Sequence, residues 1–285
     1  MRGRRLRDTL LFGWAVLSAL AACALLAGLA GVILTRALPA LDARFLFAES
    51  AAAGAAGGVR DQLLGTLLLV TSAAVLTAPA AVALALLRSF YLPVRAARRL
   101  ALVLLVANGI PSILFGIFGF LVFSRFLGWG KSWLAGGAVL ALMILPTVAT
   151  ALAERIAALP AVYIEAARGL GLSRGEVVWR VVLPMCRGGL ASGLLLGLAR
   201  AAGETAPILF CAAVFAGAGP LPAGIVDSPV VALPYHIFTL AQDTFGDDMR
   251  ARMWGSAAVL LGLTLSLSLA ALPARLAHAR EVCDA

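Results

Sequence analysis

The sequence predicts an all-α integral membrane protein that crosses the bilayer six times and keeps both termini in the cytoplasm. Composition is the first ground: 62% of the 285 residues are hydrophobic and only 13% are charged. Mean hydropathy is +1.00, well outside the range of soluble domains. The spacing of the charges is the second. A helix needs about 20 apolar residues to cross a hydrocarbon core of about 30 Å, and the charges divide this chain into windows of that size. The third is the side on which the arginines fall.

Residues 1–8 form a basic cytoplasmic N-terminus, and residues 9–285 read as a single membrane domain. Span 10–35 lies between Asp8 and Arg36; its apolar core is too long for a secretion signal and no polar approach to a cleavage site follows, so it reads as an anchor. Spans 63–87, 100–124 and 133–153 lie between Asp61 and Arg88, Arg99 and Arg125, and Lys131 and Glu154. Pro79 and Pro146 are expected to kink the first and last of these, and Asn108, Pro111 and Ser112 form a polar, helix-weakening cluster in the middle one. The fifth is irregular. Only twelve residues separate Arg187 from Arg200, and the next uncharged window, residues 205–226, ends in Gly217, Gly219, Pro220 and Pro222. One span over 188–215, carrying Arg200 and Glu204, satisfies both facts. The sixth, 253–274, lies between Arg252 and Arg275. The Ala-, Gly- and Pro-rich stretches 36–61 and 216–253 read as outer connections.

Fifteen arginines fall on the side of the N-terminus, among them Arg2, Arg4, Arg5, Arg7, Arg88, Arg95, Arg98, Arg99, Arg275 and Arg280. The other side holds seven basic residues, Arg36, Arg44, Arg60, Arg125, Lys131, Arg250 and Arg252. That asymmetry places the 155–187 loop in the cytoplasm. Within it, residues 161–170 read as a short amphipathic helix that Gly171 ends. Ser173 and Glu176 have the spacing of a capping box and start a second helix, which runs through Val177, Val178 and Val181 to a bend at Leu183-Pro184. The loop is thus a helical hairpin on the aqueous side.

Glu165-Ala166-Ala167, three residues, Gly171, nine residues and then Val181-Val182-Leu183-Pro184 resemble the EAA signature of ABC importer permeases, with Val181 in place of the usual isoleucine. Ala199-Arg200-Ala201-Ala202-Gly203-Glu204-Thr205-Ala206-Pro207 is similar to the RAxGETAP segment of the A-type phosphate permease family (PstA). Gly57-Gly58 through Gly65-Thr66, and Ile110 through Gly116, resemble the same family, so the likeness covers about residues 45–276. It implies the MetI-like permease fold and a multi-pass place in the bacterial inner membrane. It implies a homologous C-type permease, two ATP-binding subunits and an extracytoplasmic phosphate-binding protein as partners. Glu165, Ala166, Ala167, Gly171, Leu183 and Pro184 would then couple to the ATPase. Arg200, Glu204, Thr205, Pro207, Asn108 and Ser112 would line the path of phosphate.

Arg200 and Glu204, four apart, share a helix face and can pair. A charge at mid-membrane costs about 2.5–3.5 kcal/mol on insertion scales, so the pair should face protein or water. It reads either as a structural ion pair or as a positive point on an anion path whose grip the carboxylate loosens. Pro207 lacks an N–H and would loosen the helix beside it. Asn108 and Ser112 also fit plain packing roles.

Other chemistries find no support. The arginines are dispersed among spans, which argues against nucleic-acid binding. Cys23, Cys186, Cys211 and Cys283 have no zinc-type spacing, and no metal site or cofactor is expected. His236 and His278 lie outside the spans with no partner at triad spacing. Gly130-Lys131-Ser132 echoes a phosphate-binding loop, but Arg125 stands where the opening glycine belongs, so the chain is not expected to hydrolyse ATP. A permease for another oxyanion such as sulfate or molybdate, a lipid-modifying membrane enzyme and a non-transporting phosphate sensor are the alternatives.

Overall fold

The computed structural model describes residues 2–51, 56–215, 222–242 and 246–273. Gly217, Gly219, Pro220, Asp243, Arg275, His278, Arg280 and Cys283 lie outside the described residues. The chain order is α1 (Arg2–Ala37), α2 (Ala43–Phe47), a two-stranded hairpin of β1 (Ser50–Ala51) and β2 (Ala56–Gly57), α3 (Arg60–Leu86), α4 (Val94–Asn108), α5 (Ser112–Gly119), α6 (Trp133–Ala157), α7 (Ala161–Gly169), α8 (Arg174–Val177), α9 (Leu183–Ala202), α10 (Ala206–Cys211), α11 (Leu233–Gln242) and α12 (Asp247–Ala270). Single π-helical segments extend α3 (Leu87–Tyr91) and α5 (Phe120–Phe126) and join α8 to α9 (Val178–Val182).

Contacts between α3 and α6 fix the topology. A Cβ on Gly137 would meet Ser72, Thr77 donates to the Ala141 carbonyl at 3.3 Å, Ala81 packs with Ala149, and Ala85 packs with Leu152. The two helices therefore run parallel, and the chain between them has to travel back along the bundle. It does so as α4 and α5, which meet at a 94° bend. Five helices among the described residues are long and apolar enough to cross a membrane, and there are six if the bent pair forms one span.

Three expectations are corrected. The span expected over 100–124 is not one helix: Pro111 cannot donate to the helix ladder and holds Ile110 away from helical geometry, so α4 stops at Asn108 and α5 starts at Ser112. The span expected over 188–215 stops at Ala202, because Gly203 caps α9 and Pro207 occupies the first turn of a separate short helix, α10. The connection expected over 216–253 contains α11, whose Leu233, His236 and Leu240 are buried. Its seat is Thr66 on α3, which accepts from the Leu233 N–H at 2.9 Å while donating to the Gln62 carbonyl at 2.7 Å. Gly65 permits this approach, since a Cβ there would lie 1.9 Å from the Val231 carbonyl oxygen. His236 is outside the spans as expected, but it sits 3.3 Å from the Ser256 hydroxyl on α12.

The core lies where α3, α6, α9 and α10 converge, around Leu69, Leu140, Met143, Ile144, Ala201 and Ile208. Along α9 the small residues recur every fourth position, Gly189, Gly193 and Gly197, on the face turned to α6. A Cβ on Gly193 would lie 2.9 Å from Ala151 Cβ, and one on Gly197 3.2 Å from Val148 Cγ2. Gly189 lies against the aliphatic stem of Arg155. Such ridges let two backbones approach where apolar burial supplies no net drive, since lipid tails are as apolar as the side chains. Gly193→Leu is expected to wedge α9 off α6 and destabilise the protein by roughly 1–3 kcal/mol or more. Thermal unfolding in detergent should show a lowered midpoint for it, and a near-normal one for Gly262→Leu, whose site on α12 has nothing within 4 Å.

Candidate functional site

The hairpin between α7 and α8 is built by local rules. Leu172 N–H bonds to the Ala167 carbonyl at 3.2 Å and Gly171 N–H to the Arg168 carbonyl at 2.9 Å, the paired bonds that close a helix through a left-handed residue. Gly171 has φ +83°. Two residues on, Ser173 N–H donates to Glu176 Oε2 at 3.0 Å and Ser173 Oγ accepts from Glu176 N–H at 3.4 Å, completing the capping box. The inner face of the hairpin, with Ala167, Leu172, Val177 and Val182, packs on Ala85 at the end of α3 and on Leu152, Ala153 and Ile156 at the end of α6. Its outer face carries Glu165 and Ala166, both exposed, and four large apolar side chains: Val162, Tyr163, Leu170 at 82% exposure and Trp179 at 70%. These four leave an apolar cluster at the surface of the hairpin. Glu165 and Ala166 are thus available at the surface, whereas Ala167 is used inside.

Pro184 falls within a helix that continues past it. The helix runs from Arg174 to Ala202 over 29 residues. The π-helical turn just before Pro184 shifts the ladder so that Leu183 N–H reaches the Val178 carbonyl, and Pro184, with no N–H to offer, falls in the first turn of the resumed α-helix. Leu183 is half-buried and Pro184 exposed. At ~1.5 Å per residue this rod is about 43 Å long.

Near the far end of the rod sits a polar cluster. Arg200 Nε lies 3.5 Å from Oε1 of Glu204, four residues on and just past the Gly203 cap of α9. Arg200 Nη1 donates to Asn108 Oδ1 at 3.3 Å, and the same oxygen accepts from Thr147 Oγ1 at 2.8 Å. Three elements, α4, α6 and α9, are joined through one amide oxygen. Thr147 is close to the middle of α6 (Trp133–Ala157), so the cluster lies about halfway through the bundle. The Arg200 and Glu204 side chains keep 39% and 17% of their exposure. Beside Asn108 a groove of about 400 Å³ opens between α4 and α6, lined among others by Thr147, Thr150, Glu154 and Arg88.

The structure brings Asn108, Arg200 and Glu204 together and adds Thr147, which the sequence reading passes over. Ser112 and Thr205 occupy the turns that interrupt the helices on either side, and no side-chain hydrogen bond joins either to Arg200 among the described residues. Pro207 is buried where α10 meets α5: its Cα lies 3.1 Å from the point a Gly116 Cβ would occupy, and Cys211 Sγ contacts the Gly116 carbonyl at 3.4 Å. Lys131 and Ser132, the echo of a phosphate-binding loop, serve the fold. Lys131 Nζ donates to the Leu209 carbonyl at 3.2 Å, and Ser132 Oγ caps α6 by accepting from Ala135 N–H. Among the described residues no group of His, Cys, Asp and Glu could hold a metal ion.

Comparison with known proteins agrees with this architecture. Residues 77–278 match the family model for the binding-protein-dependent transport system inner membrane component. The phosphate transport system permease protein PstA 2 of Mycobacterium bovis is 33% identical over 207 residues, 73% of this chain and 67% of that protein. The phosphate transport system permease protein PstC of Mycobacterium leprae is 36% identical over 208 residues, 62% of this chain and 65% of its own. Among solved structures, a chain of the inward-facing MetNI methionine ABC transporter superposes with a TM-score of 0.57 at 18% identity, covering 76% of this chain and 93% of that one; at that identity the likeness is one of fold. With the hairpin, the rod and the broken spans in place, the chain belongs to the binding-protein-dependent transport system inner membrane components, with the MetI-like fold of ABC importer permeases.

Proposed function

We propose that this chain is the A-type permease subunit of an ATP-driven importer that carries inorganic phosphate across the bacterial inner membrane. The observation that carries the reading is the unbroken helix from the exposed hairpin to Arg200. It joins a surface suited to an ATPase to a cation suited to an anion. Relatives named as phosphate permeases, together with the Gly203-Glu204-Thr205-Ala206-Pro207 ending of the Arg200 segment, favour phosphate and the A-type subunit. The partners are a homologous C-type permease, two ATP-binding subunits docked on the hairpins, and an extracytoplasmic phosphate-binding protein. The permease itself hydrolyses no ATP. Closure of the ATPases pushes the Glu165 face of the hairpin, the rod transmits the displacement, and the spans rock so that the path opens to one side and then the other.

In the path, Arg200 supplies donors that Asn108 and Glu204 do not exhaust, since a guanidinium carries five N–H groups. Glu204 keeps the grip weak enough for release. In vesicles holding the complete importer, Arg200→Ala is expected to lower phosphate uptake by about tenfold or more, the worth of one hydrogen bond to a charged group, while the ATPase subunits still co-purify. Glu204→Gln should retain phosphate longer, lowering both KM and turnover. Normal uptake by both variants would end the pathway assignment.

Gly171→Val, which puts a β-branched residue at φ +83°, is expected to disorder the turn. ATP hydrolysis should continue with little phosphate moved per ATP. A wild-type ratio of phosphate imported to ATP hydrolysed would show that the turn is not needed for coupling.

A further inference from the structure

We propose that Asn108 is a direct hydrogen-bond donor to the transported oxyanion, and that Thr147 is the positioning residue that holds it in the donating orientation. The inference deepens the importer reading above and rests on it for the identity of the cargo. Its geometric basis is the orientation of one amide. A guanidinium has donors and no acceptor, so the Asn108 atom 3.3 Å from Arg200 Nη1 is the carbonyl oxygen. The Thr147 hydroxyl, 2.8 Å from the same oxygen, must donate to it as well. Turning the amide over would set its NH2 group against the guanidinium, which has no acceptor to offer. Asn108 is therefore locked from α6 and α9 with both lone pairs of Oδ1 engaged, and its Nδ2, with two N–H donors, has no hydrogen bond to protein among the described residues.

The position of that NH2 group suits an anion. Asn108 is exposed and ends α4 at the 94° break, and it lines the groove that leads past Thr150 to Glu154 and Arg88. An oxyanion leaving the free N–H groups of Arg200 meets a neutral donor next. A neutral donor binds the anion without adding another charge, which suits a site that must release its cargo. Thr147 contributes no donor of its own to the cargo in this arrangement, since its proton is committed to Asn108.

The test uses the complete importer in vesicles, with the permease partner, ATPase subunits and binding protein, and reads uptake of labelled phosphate, sulfate and molybdate beside ATP hydrolysis. Asn108→Asp keeps an acceptor for Arg200 and Thr147 but replaces the NH2 with a second oxygen. Uptake per ATP should fall by about tenfold or more, the scale of one hydrogen bond to a charged group. A result near wild type overturns the inference, and because the aspartate also adds a negative charge beside Arg200, a fall supports the donor only where Asn108→Ser transports more than Asn108→Ala. Thr147→Val should raise KM for the released anion path several-fold, and Thr147→Ser should restore it. Failure of the serine to rescue would also overturn the positioning role. If Asn108→Asp does not assemble, Asn108→Ser against Asn108→Ala supplies the same contrast: more uptake in serine supports a donor, and equal uptake removes it. An error in the cargo shows separately, as wild-type vesicles that import sulfate or molybdate in preference to phosphate; the same variants then report on the donor with that anion.

Discussion

The contact on which this structure depends is the glycine face of α9 against α6. Gly189, Gly193 and Gly197 bring the two backbones close enough that added Cβ atoms would fall within 2.7–3.3 Å of Arg155, Ala151, Val148 and Ile144. Close approach maximises dispersion contacts, which must hold helices together where lipid competes equally for apolar side chains. It also lets one continuous helix carry both the hairpin end and Arg200. The helix from Arg174 to Ala202 is seated on α6 along the face of Gly189, Gly193 and Gly197.

Breaks and charges coincide for a physical reason. Backbone N–H and C=O groups freed by an interrupted helix cannot be left facing hydrocarbon, so non-helical backbone at that depth has to line protein or water. A charged pair faces the same restriction. Here the α4–α5 break at Gly109-Ile110-Pro111 and the α9–α10 break at Gly203-Glu204-Thr205 flank the Arg200, Asn108 and Thr147 cluster. The breaks and the charges share one polar region. The same α5 that leaves the break packs through Gly116 and Gly119 on α10 and α6, which keeps the interruption from loosening the bundle.

The hairpin was legible in the sequence because its rules are local: Gly171 ends one helix and the Ser173 and Glu176 pair starts the next, each within a few residues. The number of crossings was legible too, since charge-free windows measure length. They do not measure continuity. Nothing in a window distinguishes a helix that continues through a proline, as α3 and α6 do at Pro79 and Pro146, from one that stops, as at Pro111. The outcome is decided by tertiary partners such as Thr147 and α10. Residues 233–242 carry apolar side chains at helical spacing, Leu233, Ile237 and Leu240, but their short length and the surrounding Gly- and Pro-rich composition hid a buried helix whose seat, Thr66, is 167 residues away. Thr147 was invisible for the same reason: a hydroxyl in an apolar helix gains meaning only from the Asn108 oxygen beside it.

The two bonds to that oxygen differ in what motion does to them. Thr147 to Asn108 ties α4 to α6, whereas Arg200 to Asn108 ties α4 to α9, across the glycine face on which α9 rests. The first is short, 2.8 Å, and the second is at 3.3 Å, near the limit of useful geometry. A slide of α9 along α6 by one residue, ~1.5 Å, would part Arg200 from Asn108 and leave the Thr147 bond intact. Arg200 sits on the last turn of α9, whereas its carboxylate partner Glu204 lies past the Gly203 cap, in the break before α10. Of the two ties that hold Asn108, the one to Arg200 is thus the weaker.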